Sequence, residues 1–323
     1  MKTRLWRLAY LFMKFIPAKV FRGTVWQNSE IGITIARLNV RVKKIQRFMK
    51  PIDQQIIFIT GSTDGIGKLT ALALAKQQAH VIIHGRNKEK LDRAVNEITD
   101  TAGNKNIEGV TADLSSLGEV RKLAKEVLEK HNAIDVLINN AGAGFADPRF
   151  SKDGYELRFA VNYLAPFLLT HLLLPALKMA APSRIVNVSS AGQSSIHFDD
   201  IMLEKNFSSD KAYTQSKLAL IMFTIDLAEQ LKKENITVNS LHPGTYLDTN
   251  MVVRSGIKPW GKAETGADAE VFLATSAQLE NVTGKYFNVK KEASAIAQAY
   301  DANARRKLKE LSLKLTGLME KVS

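Results

Sequence analysis

The 323-residue chain contains no cysteine. Disulfides, thiol nucleophiles and cysteine-ligated zinc or iron–sulfur centres are excluded, and the composition suits a reducing, cytoplasmic setting. Histidine is scarce: His80, His84, His131, His171, His197 and His242 make no HxH or HExxH pattern. The spacing assigns no metal, and these histidines read as structural or surface residues. Within residues 1–21 the longest uncharged run is Leu8 to Met13. A membrane-spanning helix needs about 20 apolar residues and a secretory signal core about 7–15, so neither fits. Acid is nearly missing from the first fifty residues, where twelve Lys/Arg face Glu30 alone, a net of +11 out of the chain's +13. The rest is close to neutral, which disfavours nucleic acid as a partner.

Residues 1–51 read as a basic amphipathic extension. Trp6, Tyr10, Phe12, Phe15 and Phe21 are interleaved with Lys and Arg, a mixture suited to an anionic membrane interface. Ile31, Ile35, Leu38, Val42, Ile45 and Met49 then follow steps of four and three, one helical stripe that Pro51 ends. Three readings stand for this extension: a peripheral membrane anchor, a helix docked on the body or a second subunit, and an organelle transit peptide.

From residue 54 short apolar runs alternate with helical patterns. The runs are QIIFIT (55–60), HVIIHG (80–85), NIEGVTAD (106–113), IDVLINNAG (134–142), RIVNVSSAG (184–192), ITVNSLHPG (236–244) and GKYFNV (284–289). Strands buried on both faces and separated by helices predict an α/β fold with a seven-stranded parallel, doubly wound, Rossmann-type sheet. One domain spans 52–292, and 293–323 forms a helical tail with Leu308, Leu311, Leu315 and Leu318 on one stripe.

The first run leads into TGSTDGIG, with Gly61, Gly65 and Gly67 spaced GxxxGxG. Between a strand and a helix such glycines allow close backbone approach to a pyrophosphate, and the helix start supplies free N–H groups. Gly61, Ser62, Thr63, Gly65, Ile66 and Gly67 are the candidate cradle. The second run ends in Gly85–Arg86 where NAD-binding folds carry an acid for the ribose hydroxyls. A cation suits a 2′-phosphate, which favours NADP, with NAD as the alternative. Asp113, followed by Leu114, contacts the adenine end or caps a helix.

Tyr213 and Lys217 lie four apart in AYTQSKLAL and share a helix face. Alone, the pair reads as an incidental pair on a surface helix far more readily than as catalytic. With TGSTDGIG, NNAG (139–142), Asn162 in AVNYL, NVSS (187–190) and HPG (242–244), the chain resembles the short-chain dehydrogenase/reductase family over residues 55–290. LHPGT, TGKYFN and the basic N-terminus resemble its retinol-dehydrogenase-like branch. The resemblance implies Tyr213 as proton donor and acceptor to the substrate oxygen. Lys217 would lower the tyrosine pKa and hold the nicotinamide ribose. Ser190 would bond the substrate oxygen, and Asn162 would position a water beside Lys217. Asn140, Ala141 and Gly142, together with Pro243 and Gly244, would line the cofactor.

Ser190 and Tyr213 are 23 residues apart, more than in many members of the family. The added segment, 193–211, is expected to cap the substrate. Residues 244–262, with Met251, Val252, Val253, Ile257 and Trp260, form a second expected lid and point to a lipophilic substrate such as a retinoid, sterol or long-chain aldehyde. The family often dimerises, so a homodimer is open. A catalytically idle cofactor-binding scaffold with a membrane-surface tail is the competing function.

Overall fold

A computed structural model describes residues 49–318; the anchor, docked-helix and transit-peptide readings of the first 48 residues lie outside them. The strands are β1 (Ile56–Ile59), β2 (His80–Gly85), β3 (Ile107–Thr111), β4 (Val136–Asn139), β5 (Ser183–Val188), β6 (Ile236–His242), β7 (Tyr286–Asn288) and β8 (Lys291–Ala293). They form one sheet in the order β3-β2-β1-β4-β5-β6-β7-β8. β1 to β7 are parallel and β8 is antiparallel to β7. The seven expected parallel strands are all present, and an eighth strand, antiparallel to β7, is added at that edge. β7 and β8 are joined by a two-residue turn in which Val289 has φ +56°. Such turns ordinarily announce themselves with Asn-Gly or Asp-Gly, and a valine there gives no signal.

Successive strand residues face opposite sides, and both sides are covered. Ile57, Ile59, Val81, Ile83, Val136 and Ile138 meet α1 (Gly65–Ala75), α2 (Lys88–Ala102) and α7 (Ala263–Thr275). Phe58, Ile82, Leu137, Ile185 and Val238 meet α3 (Leu117–Lys130), α4 (Leu157–Ala180) and α5 (Ser209–Leu231). α4 is apolar enough by composition to cross a membrane, but 72% of its most apolar window is buried inside the fold. It is a core helix, apolar all round because protein surrounds it.

A short helix, α6 (Asn250–Arg254), lies within 244–262. The tail helix α8 (Ala302–Thr316) packs back on the domain. The leucine stripe does face the domain, with Leu308 buried and Leu315 and Leu318 packed against the core, and Ala304, Arg305, Ser312 and Thr316 are buried beside it. The Ser312 hydroxyl lies 2.6 Å from the Tyr163 hydroxyl, and the pair satisfies two buried polar groups that the leucine pattern does not reveal.

Candidate active site

The strand order reverses between β1 and β4, and at a reversal the crevice opens beyond the carboxyl ends of the strands. A cleft of about 600 Å³ lies there. Its floor is the turn from β1 to α1. Gly61 has φ +65°, and a Cβ on it would come within 2.7 Å of the Ala141 Cα. The Asn140 side chain donates to the carbonyls of Thr60 and Gly61, both at 2.8 Å. Asp64 caps α1 by accepting from the Gly65 N–H at 2.8 Å. Backbone packed this closely at a helix start fits a pyrophosphate, which needs N–H groups without side chains in the way.

His84 braces this turn, a role the sequence reading did not assign. Its Nδ1 accepts from the Gly61 N–H at 3.0 Å and its Nε2 donates to the Ala112 carbonyl at 3.0 Å. That bonding requires a neutral ring, and burial pushes its pKa down to about 4. The unfolded chain takes up this proton near pH 6.5, so the stability tied to the neutral ring is lost as pH falls from about 6.5 towards 4. His84→Gln lacks that dependence. The stability gap between wild type and His84→Gln is therefore expected to shrink by about 2 kcal/mol from pH 7 to pH 5. Urea titrations at both values check this; a gap that stays constant would show the ring is not buried neutral.

Arg86, at the end of β2, is exposed and lines the cleft, and it makes no ion pair among the described residues. Asp113 and Leu114 line the cleft beside it. Of the two readings of Asp113, the helix cap is corrected: Ser116 caps α3, and Asp113 accepts from the Ser115 N–H at 3.0 Å and pairs with Lys152 at 3.1 Å.

The acid/base candidates come from three elements. Ser208 caps α5, whose first turns carry Tyr213 and Lys217 into the cleft. The Phe145 ring packs against the Tyr213 ring at 4.6 Å between centroids. Lys217 is buried and its ammonium donates to the Val188 carbonyl at 2.9 Å. Ser190, just past β5, accepts from the Gly192 N–H at 3.1 Å. Asn162 sits on a π-helical turn of α4, Ala160–Leu164, a distortion often found at functional positions. Its carbonyl accepts from the Ala143 N–H at 2.7 Å and its amide donates to the Ser216 hydroxyl at 2.9 Å.

Burial pushes the Tyr213 phenol up, against the pull of the Ser190 hydroxyl. The net direction is opposite to the lowering that the family resemblance implies. Burial pushes Lys217 down to about 8, opposed by the buried Glu270 carboxyl. A phenol near neutral pH therefore keeps its proton and can donate it.

Thr63, Gly65, Ile66, Gly67, Ala141, Gly142 and Pro243 also line the cleft with the residues above. Ser62, Asn162, Ser190 and Gly244 are not among its lining residues. Ser62 points into the turn, donating to the Ile59 carbonyl and accepting from the His84 N–H. Ser189 lines the cleft in place of Ser190, although its own hydroxyl is spent on the Lys217 carbonyl at 2.7 Å.

The expected cap at 193–211 packs beside the cleft and does not line it. The Ile196 N–H donates to Gln298 at 2.6 Å and the His197 N–H to Gln215 at 3.0 Å, while the Leu203 carbonyl accepts from Arg149 at 3.2 Å, beside the lining residues Pro148 and Phe150. None of residues 193–211 lines the cleft. The second expected lid does reach it, through Thr249, Asn250, Met251 and Arg254. Asp147, Pro148, Phe150, Ser151 and Lys152 line it unforeseen. Buried Arg158 holds that loop by donating to the carbonyls of Phe145, Asp147 and Pro148, a clamp invisible in the sequence because all three acceptors are backbone.

The profile of the short chain dehydrogenase family matches residues 55–259. The chain belongs to the short-chain dehydrogenase family. It is similar to retinol dehydrogenase 13 of Mus musculus, with 36% identity over 83% of this chain and 85% of that protein. It is also similar to the polyprenol dehydrogenase of Homo sapiens, with 33% identity over 84% of this chain and 89% of that protein. A solved Pseudomonas aeruginosa RhlG/NADP complex is 27% identical with a TM-score of 0.61, covering 74% of this chain and 97% of that one. A 3-ketoacyl-(acyl-carrier-protein) reductase from Brucella melitensis, complexed with NADH, is 25% identical with a TM-score of 0.60 over the same shares. As a member of this family the chain is an oxidoreductase that uses a nicotinamide cofactor to interconvert alcohols and carbonyls.

Proposed function

We propose that this short-chain dehydrogenase is NADP-dependent and acts on a lipophilic alcohol/carbonyl pair, such as a retinoid, sterol or long-chain aldehyde. The observation that carries the reading is one cleft lined both by the glycine turn and by Tyr213 and Lys217. When bound, the cofactor supplies the hydride. Gly61, Thr63, Gly65, Ile66 and Gly67 would hold its pyrophosphate, Arg86 its 2′-phosphate, and Asp113 and Leu114 its adenine side. Asn140, Ala141, Gly142, Pro243 and Gly244 would lie along its nicotinamide half, with Ser62 bracing the turn beneath.

Tyr213 donates the proton to the substrate oxygen in reduction and takes it back in oxidation. Ser190 orients that oxygen and opposes the upward push on the phenol. Lys217 is the cation under the site, anchored on Val188. Asn162 fixes the Ala143 backbone and the Ser216 hydroxyl next to that lysine. Around them Ala143, Pro148, Phe150, Leu157, Val161 and Met251 line the cleft with apolar surface, which supports a lipophilic substrate, as do the names of the relatives. The basic extension supports a peripheral position on a cytoplasm-facing membrane, where such a substrate resides. A homodimer accords with the family resemblance.

The test is steady-state reduction of all-trans-retinal, a long-chain aldehyde and a short water-soluble aldehyde, each with NADPH and with NADH. NADPH and the long substrates are expected to win. Arg86→Ala should raise the KM for NADPH about 10–100-fold, the loss of one charge-assisted bond of about 1.5–3 kcal/mol. It should leave NADH unchanged. Equal effects on both cofactors would remove the NADP reading. NADPH binding with no carbonyl turnover would favour the idle scaffold.

A further inference from the structure

Three side chains outside the cleft meet at the opposite end of the sheet. His80 is the first residue of β2, Glu108 the second of β3, and His131 the residue that closes α3. The His80 Nε2 lies 2.5 Å from Glu108 Oε1, and the His131 Nε2 lies 3.2 Å from Glu108 Oε2. The two rings are edge to face, 5.2 Å between centroids. All three ligand atoms fall within 4.8 Å of one another.

We propose that His80, Glu108 and His131 bind a divalent transition-metal ion of the zinc class. Two imidazoles and a carboxylate are a zinc donor set, and a tetrahedral ion with bonds of about 2.0–2.2 Å would take all three and leave one position for water. Three further observations favour a cation here. Glu108 sets an acidic side chain between the two imidazoles. The carboxyl end of α3, where the helix dipole is negative, is at His131. Lys130, the adjacent ammonium, is held by Glu126 at 3.0 Å instead of neutralising Glu108. The site is open to entry, because His80 and Glu108 are 29% and 32% exposed while His131 is 8% exposed.

The ligands are 28 and 23 residues apart in sequence, so no linear motif shows them. In the β2–β3 register Ile82 lies opposite Glu108, and His80, two residues earlier and so on the same face, reaches Glu108 diagonally. A bound ion would tie β2, β3 and α3 together at the end remote from the glycine turn. Its role is to stabilise the fold, and turnover does not depend on it.

The experiment uses the full chain without an affinity tag, stripped with chelator and titrated with Zn2+ by calorimetry and with Co2+ by visible absorption. One ion per chain is expected, with an intense visible Co2+ band and a Zn2+-dependent rise in Tm. His80→Gln and His131→Gln should each weaken Zn2+ binding at least about 100-fold and abolish the rise in Tm. Their NADPH affinity should remain that of wild type, which also establishes that they fold. His80→Gln, at a half-exposed position, keeps the test valid if His131→Gln does not fold. Absence of saturable binding up to millimolar Zn2+, or equal binding in wild type and His80→Gln, would overturn the proposal and leave a proton-bridged cluster.

Discussion

Replacing Tyr213 by Phe is expected to lower kcat for carbonyl reduction by about 10²–10⁴-fold, the usual worth of a positioned general acid. NADPH affinity should stay within about twofold of wild type. The substitution removes one oxygen and keeps the ring that packs on Phe145 at 4.6 Å, so the fold has little to lose. No other phenol lines the cleft to replace the proton. Lys217 cannot serve in its place, because its ammonium is buried and committed to the Val188 carbonyl. Stopped-flow turnover and fluorescence titration of NADPH separate the two quantities. A kcat within about threefold of wild type would take the acid role away from Tyr213.

The second large effect is expected at Gly67. A Cβ there would lie 2.3 Å from the Asn140 amide nitrogen and 2.5 Å from the Gly61 carbonyl oxygen. One neighbour is backbone and the other is the side chain that holds the Thr60 and Gly61 carbonyls, so neither can yield without moving the turn. Gly67→Ala should therefore cost roughly 1–3 kcal/mol of stability through overpacking. NADPH affinity should fall by at least about tenfold, since each 1.4 kcal/mol lost from the cradle is a factor of ten. Gly118→Ala is the comparison: it lies in α3, its Cβ would meet only the Ser116 hydroxyl oxygen at 3.6 Å, and alanine is the better helix former. It should be neutral or stabilising with unchanged NADPH binding. Equal behaviour of the two variants would show that close approach at the turn is not what Gly67 provides.

Much of this architecture was legible because its signals are local. β1, β2 and β4 are apolar runs bounded by glycine or polar residues, and Gly61, Gly65 and Gly67 sit where a strand hands over to a helix. Arg86 needed only a strand end, whereas Tyr213 and Lys217 shared a helix face by spacing but took a catalytic reading only from the accompanying motifs of the family. What escaped depends on partners far apart in sequence. His84 became a brace because its two nitrogens meet backbone groups of Gly61 and Ala112. The length of 193–211 and its place between Ser190 and Tyr213 do not show that its backbone is bound by Gln215, Gln298 and Arg149. β8 was missed because Val289 takes a positive φ that sequence patterns assign to glycine or asparagine. The leucine stripe is only part of the buried face of α8, because Ser312 and Thr316 are buried through hydrogen bonds and not as apolar surface.

The most direct measurement is the fate of the hydride. Wild-type protein would be incubated with all-trans-retinal and NADPH deuterated at one face of nicotinamide C4, and then with the opposite diastereomer. A single-site, Tyr213-dependent reductase should give retinol carrying one deuterium from one diastereomer only, with no retinol formed by Tyr213→Phe on the same time scale. Retinol without deuterium from either diastereomer, or no retinol despite tight NADPH binding, would contradict an NADP-dependent carbonyl reductase of lipophilic substrates.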